Sequence, residues 1–382
     1  MTVKVFVIAG EPSGDRLAAS AMAGLKSLTD VEFRGVGGAL MAQEGLQSQF
    51  PMSELTLMGL FEVLPKYFHL KRRIREVAEA ILAWEPDVVL TVDAPDFCLR
   101  VAEIVKARSN IRICHYVAPT VWAWRPKRAL KMAARVDQVL ALFPFEPPYF
   151  ETVGLRCDFV GHPVVAEPTA SPEEAQGFRN LYGISDDAPL ILVLPGSRQG
   201  EVSRLAPVFG QSLHIFAAGR PETRVVIPVA HGVEDAVREA TKNWPCKPVL
   251  IRPDDKGAKR AAFRAADMAL AASGTVSLEL AAADTPMVVA YRMNRLTEEI
   301  MRRKLLVDTV TLVNLVSDTR HVEEFLGPQC RPASIASALA RAYLRPQDQR
   351  AALATTMERL GQGGEAPGLR AARAILDGLG RP

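Results

Sequence analysis

Short runs of aliphatic and β-branched residues recur along the chain, too brief for helices and without the alternation of a half-exposed strand. Val3–Ala9, Val88–Val92, Leu190–Leu194 and Pro286–Tyr291 are examples. Such a run is apolar on both faces, which suits a strand of a parallel sheet covered by helices on each side. A turn follows, and then a segment of helical periodicity. After the first run come Gly10-Glu11-Pro12-Ser13-Gly14-Asp15 and a stretch with apolar residues at Leu17, Ala18, Met22, Leu25 and Leu28. Strand-loop-helix order repeated in this way predicts an α/β fold whose ligands gather at the carboxyl ends of the strands.

The series runs twice. Glu32–Val36, Arg112–Val117, Val139–Leu142 and Cys157–Val160 extend the first half, and the polar, proline-bearing stretch from Glu167 to Glu174 interrupts it. Runs at Arg224–Val229, Pro248–Ile251 and Met268–Leu270 extend the second, with helical patterns at Val233–Lys242, Ala258–Ala265 and Leu296–Leu305. We expect two doubly wound Rossmann-like domains, residues 1–168 and 185–345, facing an interdomain cleft, and closing helices over 346–382. The chain's 382 residues, 48% of them hydrophobic, supply apolar material for two cores. A net charge of +3 is too small to argue for nucleic acid. Five scattered cysteines without a Cys-x-x-Cys pair speak against a disulfide framework or a zinc site and for a reducing cytoplasm. The first apolar run is too short for a signal peptide, and no apolar stretch reaches the roughly 18 residues of a membrane span.

Chemistry-bearing residues cluster at the ends of these runs. Gly196-Ser197-Arg198 and Ser273-Gly274-Thr275 each stand where a strand gives way to a helix, so their N–H groups and the helix dipole could take a phosphate. Arg198 could clamp a diphosphate bidentately or pair with Glu201. Glu279 could accept from a sugar hydroxyl, or simply be favoured by the dipole of a helix that Thr275 caps. Asp93 ends the run Val88–Val92 and is a candidate general base or a turn-stabilising side chain, while Asp96 reads as a helix cap. Glu11 and Ser13 occupy the first loop, which has neither a dinucleotide nor a triphosphate fingerprint. Asn314 could bind a ligand or cap a helix. Trp122 and Trp124 read as packing residues, and His115 and His162 lack metal-ligand spacing. From Leu60 to Arg73, large apolar side chains (Leu60, Phe61, Leu64, Phe68) mix with basic ones (Lys71, Arg72). Such a stretch can lie on a headgroup surface or bury one face and let its cations snorkel.

A specific likeness joins these pieces. Gly10-Glu11-Pro12-Ser13-Gly14-Asp15, Met58-Gly59 with Glu62-Val63-Leu64, Asp93-Ala94-Pro95-Asp96-Phe97 and Val121-Trp122-Ala123-Trp124-Arg125 come in that order. Pro144-Phe145-Glu146, Gly161-His162-Pro163, Leu194-Pro195-Gly196-Ser197-Arg198, Ser273-Gly274-Thr275 with Glu279, and Pro286-Met287-Val288-Val289 follow. The set resembles the lipid-A-disaccharide synthase family from the first strand to about Asn314. The resemblance implies an inverting GT-B glycosyltransferase that joins UDP-2,3-diacylglucosamine to 2,3-diacylglucosamine 1-phosphate (lipid X), giving a β-1,6-linked disaccharide and UDP. It implies that Asp93 is the catalytic aspartate and that Gly196, Ser197, Arg198, Ser273, Gly274, Thr275, Glu279 and Asn314 hold the nucleotide sugar. Glu11 and Ser13 would lie on the acceptor side. It implies a cytoplasmic protein bound peripherally to the inner membrane through Leu60, Phe61, Leu64, Phe68, Lys71 and Arg72, with the last helix crossing back to the first domain. No cofactor and no metal enter this reading, since Arg198 and the helix starts would hold the leaving charge; a homo-oligomer stays open. Pro12, Cys98, Thr120 and Val313 depart from the family's usual residues, and Val313, replacing a proline, loosens the backbone ahead of Asn314. The rival readings are another GT-B enzyme on a UDP-sugar, either a transferase with a soluble acceptor or a UDP-N-acetylglucosamine epimerase, and a non-catalytic UDP-sugar-binding protein.

Overall fold

The computed structural model describes residues 2–55, 60–293, 298 and 305–380, with the backbone alone for 60–67. The Met58-Gly59 pair, the side chains of Leu60, Phe61 and Leu64, and most of the helix expected over Leu296–Leu305 lie outside the described residues. The chain divides into two compact units. Unit 1 is Met1–Ala166 with Gly363–Pro382, and unit 2 is Glu167–Gln362.

In chain order the first elements are β1 (Val3–Ala9), α1 (Pro12–Leu28), β2 (Val31–Val36), α2 (Ala39–Gln43), α3 (Leu60–Trp84), β3 (Val88–Val92) and α4 (Pro95–Lys106). Then come β4 (Arg112–Tyr116), α5 (Val121–Trp124), α6 (Lys127–Ala133), β5 (Gln138–Ala141), α7 (Pro147–Glu151) and β6 (Arg156–Phe159). The second series starts with α8 (Pro172–Leu181), β7 (Leu190–Leu194), α9 (Gln199–Ala217), β8 (Arg224–Pro228), α10 (Glu234–Thr241) and β9 (Val249–Ile251). It continues with α11 (Lys256–Ala265), β10 (Met268–Ala271), α12 (Val276–Ala282), β11 (Met287–Tyr291), α13 (Leu312–Ser317) and β12 (Glu323–Leu326). Three helices finish the chain: α14 (Pro332–Leu344), α15 (Gln347–Arg359) and α16 (Pro367–Gly378).

Unit 1 is built on a sheet of order β2-β1-β3-β4-β5-β6, parallel throughout. Every residue of β3 is buried, as its two-sided apolar run requires. The chain leaves β1 for β2 on one side and returns to β3 on the other, so the strand order reverses between β1 and β3. A doubly wound sheet opens its ligand crevice at that point, beyond the carboxyl ends of the two strands. The last helix completes this unit. Two glycines let α16 approach α1 closely: a Cβ at Gly24 would stand 2.7 Å from Gly368 O, and one at Gly368 2.1 Å from Ser20 Oγ. Gln138 Nε2 donates to Ala374 O at 2.8 Å and Arg370 Nη2 to Phe159 O at 2.9 Å, so α16 also engages β5 and β6.

Unit 2 repeats the plan with order β12-β11-β10-β7-β8-β9, again parallel, and its reversal falls between β7 and β10. Its entry helix α8 starts with a complete capping box, Ser171 with Glu174, and Pro172 in the first turn. At the amino ends of the central strands the buried Arg179 guanidinium donates to Ala265 O, Ser185 O, Ala188 O and Asp267 Oδ2. The same Asp267 oxygen accepts Leu190 N–H at 2.8 Å. One cation thus fixes the bottom of β7 and β10, leaving the opposite ends for ligands.

Some expectations fail locally. The edge strand β12 has no apolar run to announce it, because Glu323 and Glu324 lie within it. Asp96 lies in the first turn of α4, but Ala94 is the N-cap. Arg331 is the N-cap of α14, with Pro332 first in the helix.

Candidate functional site

Three groups of residues assemble at the strand ends, two in unit 1 and one in unit 2. In unit 1, Asp93 and Ala94 follow β3 with φ of +53° and +41°, left-handed values rare for residues with a Cβ. Strain of this kind persists where the surroundings impose it, and it concentrates at functional sites. The Asp93 N–H is held by Tyr116 O at 3.0 Å, and its carboxylate faces α1, where Ser13 Oγ donates to Oδ2 at 3.3 Å. The end of β3 and the loop after β1 therefore meet at the sheet reversal. Glu11 is the N-cap residue of α1, at the same strand end, and is exposed. The last residue of its motif, Asp15, is structural: its buried carboxylate accepts the N–H groups of Gly38, Leu40 and Met41 at 2.9–3.1 Å and caps α2.

A second set in unit 1 surrounds the carboxyl ends of β4, β5 and β6. The Glu146 carboxylate accepts from Leu142 N at 3.1 Å, Phe143 N at 3.0 Å and Trp122 Nε1 at 3.3 Å. Burial pushes its pKa up to about 8, although these three donors pull it down. Trp122 meets Phe145 edge-on at 5.2 Å, Phe145 stacks on Phe143 at 5.4 Å, and Phe143 stacks on His162 at 5.5 Å. His162 Nδ1 accepts Val164 N–H at 3.1 Å, so the neutral ring carries its proton on Nε2, and burial lowers its pKa to about 4. Three separated motifs thus become one aromatic cluster. Trp122 packs as expected, but with its N–H on a carboxylate.

In unit 2, a cavity of about 550 Å³ opens at the carboxyl ends of β7, β8 and β10. Gly196, Ser197 and Arg198 line one wall; Ser273, Gly274, Thr275 and Glu279 line another. The cavity brings together seven of the eight residues expected to hold a nucleotide sugar. Among the described residues, no acceptor takes the backbone N–H of Ser273, Gly274 or Thr275. The Arg198 side chain is 83% exposed and rests 3.9 Å from Glu201, so its guanidinium is available to an anion.

Asn314 is not at this cavity. It sits inside α13, 1% exposed, and donates through Nδ2 to Thr309 Oγ1 at 3.2 Å and Val322 O at 2.8 Å, while Oδ1 accepts Val322 N–H at 3.1 Å. Both ends of the amide tie α13 to the segment entering β12. It therefore neither caps a helix nor presents its amide to a ligand here.

The cavity also contains residues that sequence reasoning missed. Lys259 Nζ, on α11, donates to Glu279 Oε2 at 2.6 Å, which leaves Oε1 as the open acceptor. No motif in the sequence marks Lys259; the tertiary fold brings it to Glu279. His231, after β8, lines the cavity too, with Nε2 3.3 Å from Asp254. On α3, Phe68 is 79% exposed and Lys71 and Arg72 are exposed, with Arg72 3.5 Å from Glu76. No helix among the described residues is long and apolar enough to cross a membrane.

The sequence pattern of the family described as Lipid-A-disaccharide synthetase matches residues 5–370. The chain is 59% identical to the lipid-A-disaccharide synthase of Ruegeria pomeroyi, covering 99% of this chain and 96% of that protein. It is 47% identical to that of Rhodospirillum centenum, covering 98% and 94%. Among solved structures, the UDP-GlcNAc 2-epimerase of Neisseria meningitidis bound to UDP-GlcNAc superposes with a TM-score of 0.64 at 14% identity, covering 99% of each chain. A glycosyltransferase from Rickettsia africae gives 0.60 at 13%, covering 99% and 98%. At such identities the structures report fold alone, and that fold is GT-B.

Proposed function

The chain belongs to the lipid-A-disaccharide synthase family, and from that premise we propose how its two strand-end sites divide the work of forming the lipid A disaccharide. It is a glycosyltransferase of lipid A disaccharide formation. The donor is UDP-2,3-diacylglucosamine and the acceptor lipid X. The observation that carries this reading is the unit 2 cavity, where two turns, an exposed guanidinium and a carboxylate with one open oxygen converge. The diphosphate lies against Ser273–Thr275 and Arg198; the ribose hydroxyls donate to Glu279 Oε1, whose carboxylate Lys259 holds in place. Charge that develops on the departing UDP is stabilised most in the transition state, because these donors are already oriented.

Unit 1 supplies the base. Asp93 removes the proton from the 6-hydroxyl of lipid X as that oxygen attacks the anomeric carbon and the bond to UDP breaks. One displacement inverts the centre and leaves the proton on the carboxylate. Ser13 donates to Oδ2, which leaves Oδ1 for the substrate hydroxyl. Glu11 serves the acceptor side from the start of α1.

The exposed Phe68 and the cations of α3 support a peripheral membrane contact, an aromatic wedge beside charges that favour anionic headgroups. The catalytic reading is tested by incubating the protein with both lipids in detergent, with and without chelator, and following disaccharide and UDP by mass spectrometry. Disaccharide in both arms fits the reading. UDP without disaccharide would mean that the acceptor is another molecule.

A further inference from the structure

The turn after β7 is held by a contact that the nucleotide reading does not use. Glu201, in the first turn of α9, divides its carboxylate between two donors: Oε2 accepts Ser197 N–H at 3.0 Å and Oε1 accepts the Tyr291 hydroxyl at 3.0 Å. Tyr291 ends β11, which β10 separates from β7 in the sheet. One side chain thus ties the turn to a strand two positions away. A glutamate at this helix position usually reaches back to the N-cap N–H. Here the N-cap is Arg198, and Glu201 reaches one residue further, to Ser197.

That reach requires an empty place at residue 196. A Cβ at Gly196 would stand 2.5 Å from Glu201 Oε2, and Gly196 also has φ +107°, a conformation that other residues rarely adopt. Arg198 follows directly in the clamped turn and lines the cavity, its side chain largely exposed and 3.9 Å from Glu201 Oε1. A carboxylate beside a diphosphate site opposes anion binding, so it must contribute something else there. What it contributes is a fixed backbone.

We propose that Glu201 and Tyr291 are positioning residues for the nucleotide sugar: they hold the Gly196–Arg198 turn so that the Arg198 guanidinium meets the diphosphate, Glu201 doing so from the wall of the same cavity. This rests on the reading of the unit 2 cavity as the UDP site. A held turn lowers the ordering cost of binding, whereas a loose one must be ordered each time.

The test uses the full chain with R198A, E201A, E201Q and Y291F. UDP affinity is measured by calorimetry, KM for each substrate by steady-state kinetics, and folding by urea titration. E201A is expected to weaken UDP binding about tenfold and to raise KM for the UDP-sugar, with KM for the lipid acceptor unchanged. Y291F, which loses only the hydroxyl, is expected to show about a threefold effect in the same direction and to stay folded even if E201A does not. E201Q should stay within about threefold of the parent, because its amide oxygen can accept from Ser197 N–H while its NH2 donates to the Tyr291 oxygen. If R198A weakens UDP binding while Y291F and folded E201A do not, the positioning role is refuted and the nucleotide reading stands. Tighter UDP binding by E201A would refute it differently, since the carboxylate would then be a competitor for the Ser197 N–H. If R198A leaves UDP binding unchanged, the cavity reading fails and this inference falls with it.

Discussion

Glu146 offers a measurement in which burial and hydrogen bonding pull in opposite directions. Removal from water raises its pKa from the ordinary carboxylate range to about 8, despite the N–H groups of Leu142, Phe143 and Trp122. A folded-state value above the unfolded one means that the stability linked to this group is full below the unfolded pKa. It is lost as pH rises through about 8. Integrated from about pH 5.5 to pH 8, the linkage removes about 3 kcal/mol from the folded state. His115 and His162 oppose it: burial lowers both to about 4, so the stability linked to them is lost as pH falls through the ordinary imidazole range and regained on the way up. The parent protein is therefore expected to be nearly level across this window, while E146Q gains stability as pH rises. Urea unfolding of both proteins at the two pH values, read by tryptophan fluorescence, isolates the carboxyl group by difference. The signal favours unit 1, which contains Trp84, Trp122 and Trp124, whereas only Trp244 lies in unit 2. A constant offset is expected because the new amide nitrogen faces the Trp122 N–H, so the pH dependence carries the test. Parallel curves for the two proteins would refute the reasoning: the three donors would then hold the carboxylate ionised at neutral pH.

Three other substitutions probe the remaining sites. D93N should lower turnover by about 10²- to 10⁴-fold with UDP affinity nearly kept, as calorimetry and rate measurements would show; unchanged turnover removes Asp93 from the base role. K259A releases the Glu279 carboxylate and should weaken UDP binding roughly tenfold, and equal affinity would make that ion pair a surface contact. R179A strips the donor from Asp267 and three carbonyl oxygens at the foot of β7 and β10 and should destabilise unit 2 by about 3–5 kcal/mol in urea unfolding, while a loss below about 1 kcal/mol would mean that water replaces the guanidinium.

Local pattern alone determined a large part of this protein. The apolar runs that became β1, β3 and β7 had to be buried on both faces, and a parallel sheet covered by helices is the arrangement that does so. Strand-first order then placed the turns at Gly196–Arg198 and Ser273–Thr275 on the side where such sheets bind ligands, so the walls of the unit 2 cavity were legible in the sequence. The ordered motifs also pointed to the family that the relatives establish.

Tertiary structure decided what individual polar side chains do, because an Asp, Glu, Asn or Lys has the same sequence signature whether it faces a ligand or a neighbour. Asn314 looked available and is engaged with Thr309 and Val322; Asp15 lies in a site motif and caps α2. Lys259, which no motif marks, holds Glu279, while Glu201 has the expected pairing with Arg198 at 3.9 Å and in addition joins Ser197 to Tyr291. These contacts span from 4 residues to 90, set by the strand order and by the angle at which each helix leaves its turn. Periodicity reports which face of an element is buried, a consequence of apolar area summed over many residues. Pairing depends on two atoms coming within about 3 Å, and only the packed fold determines that distance.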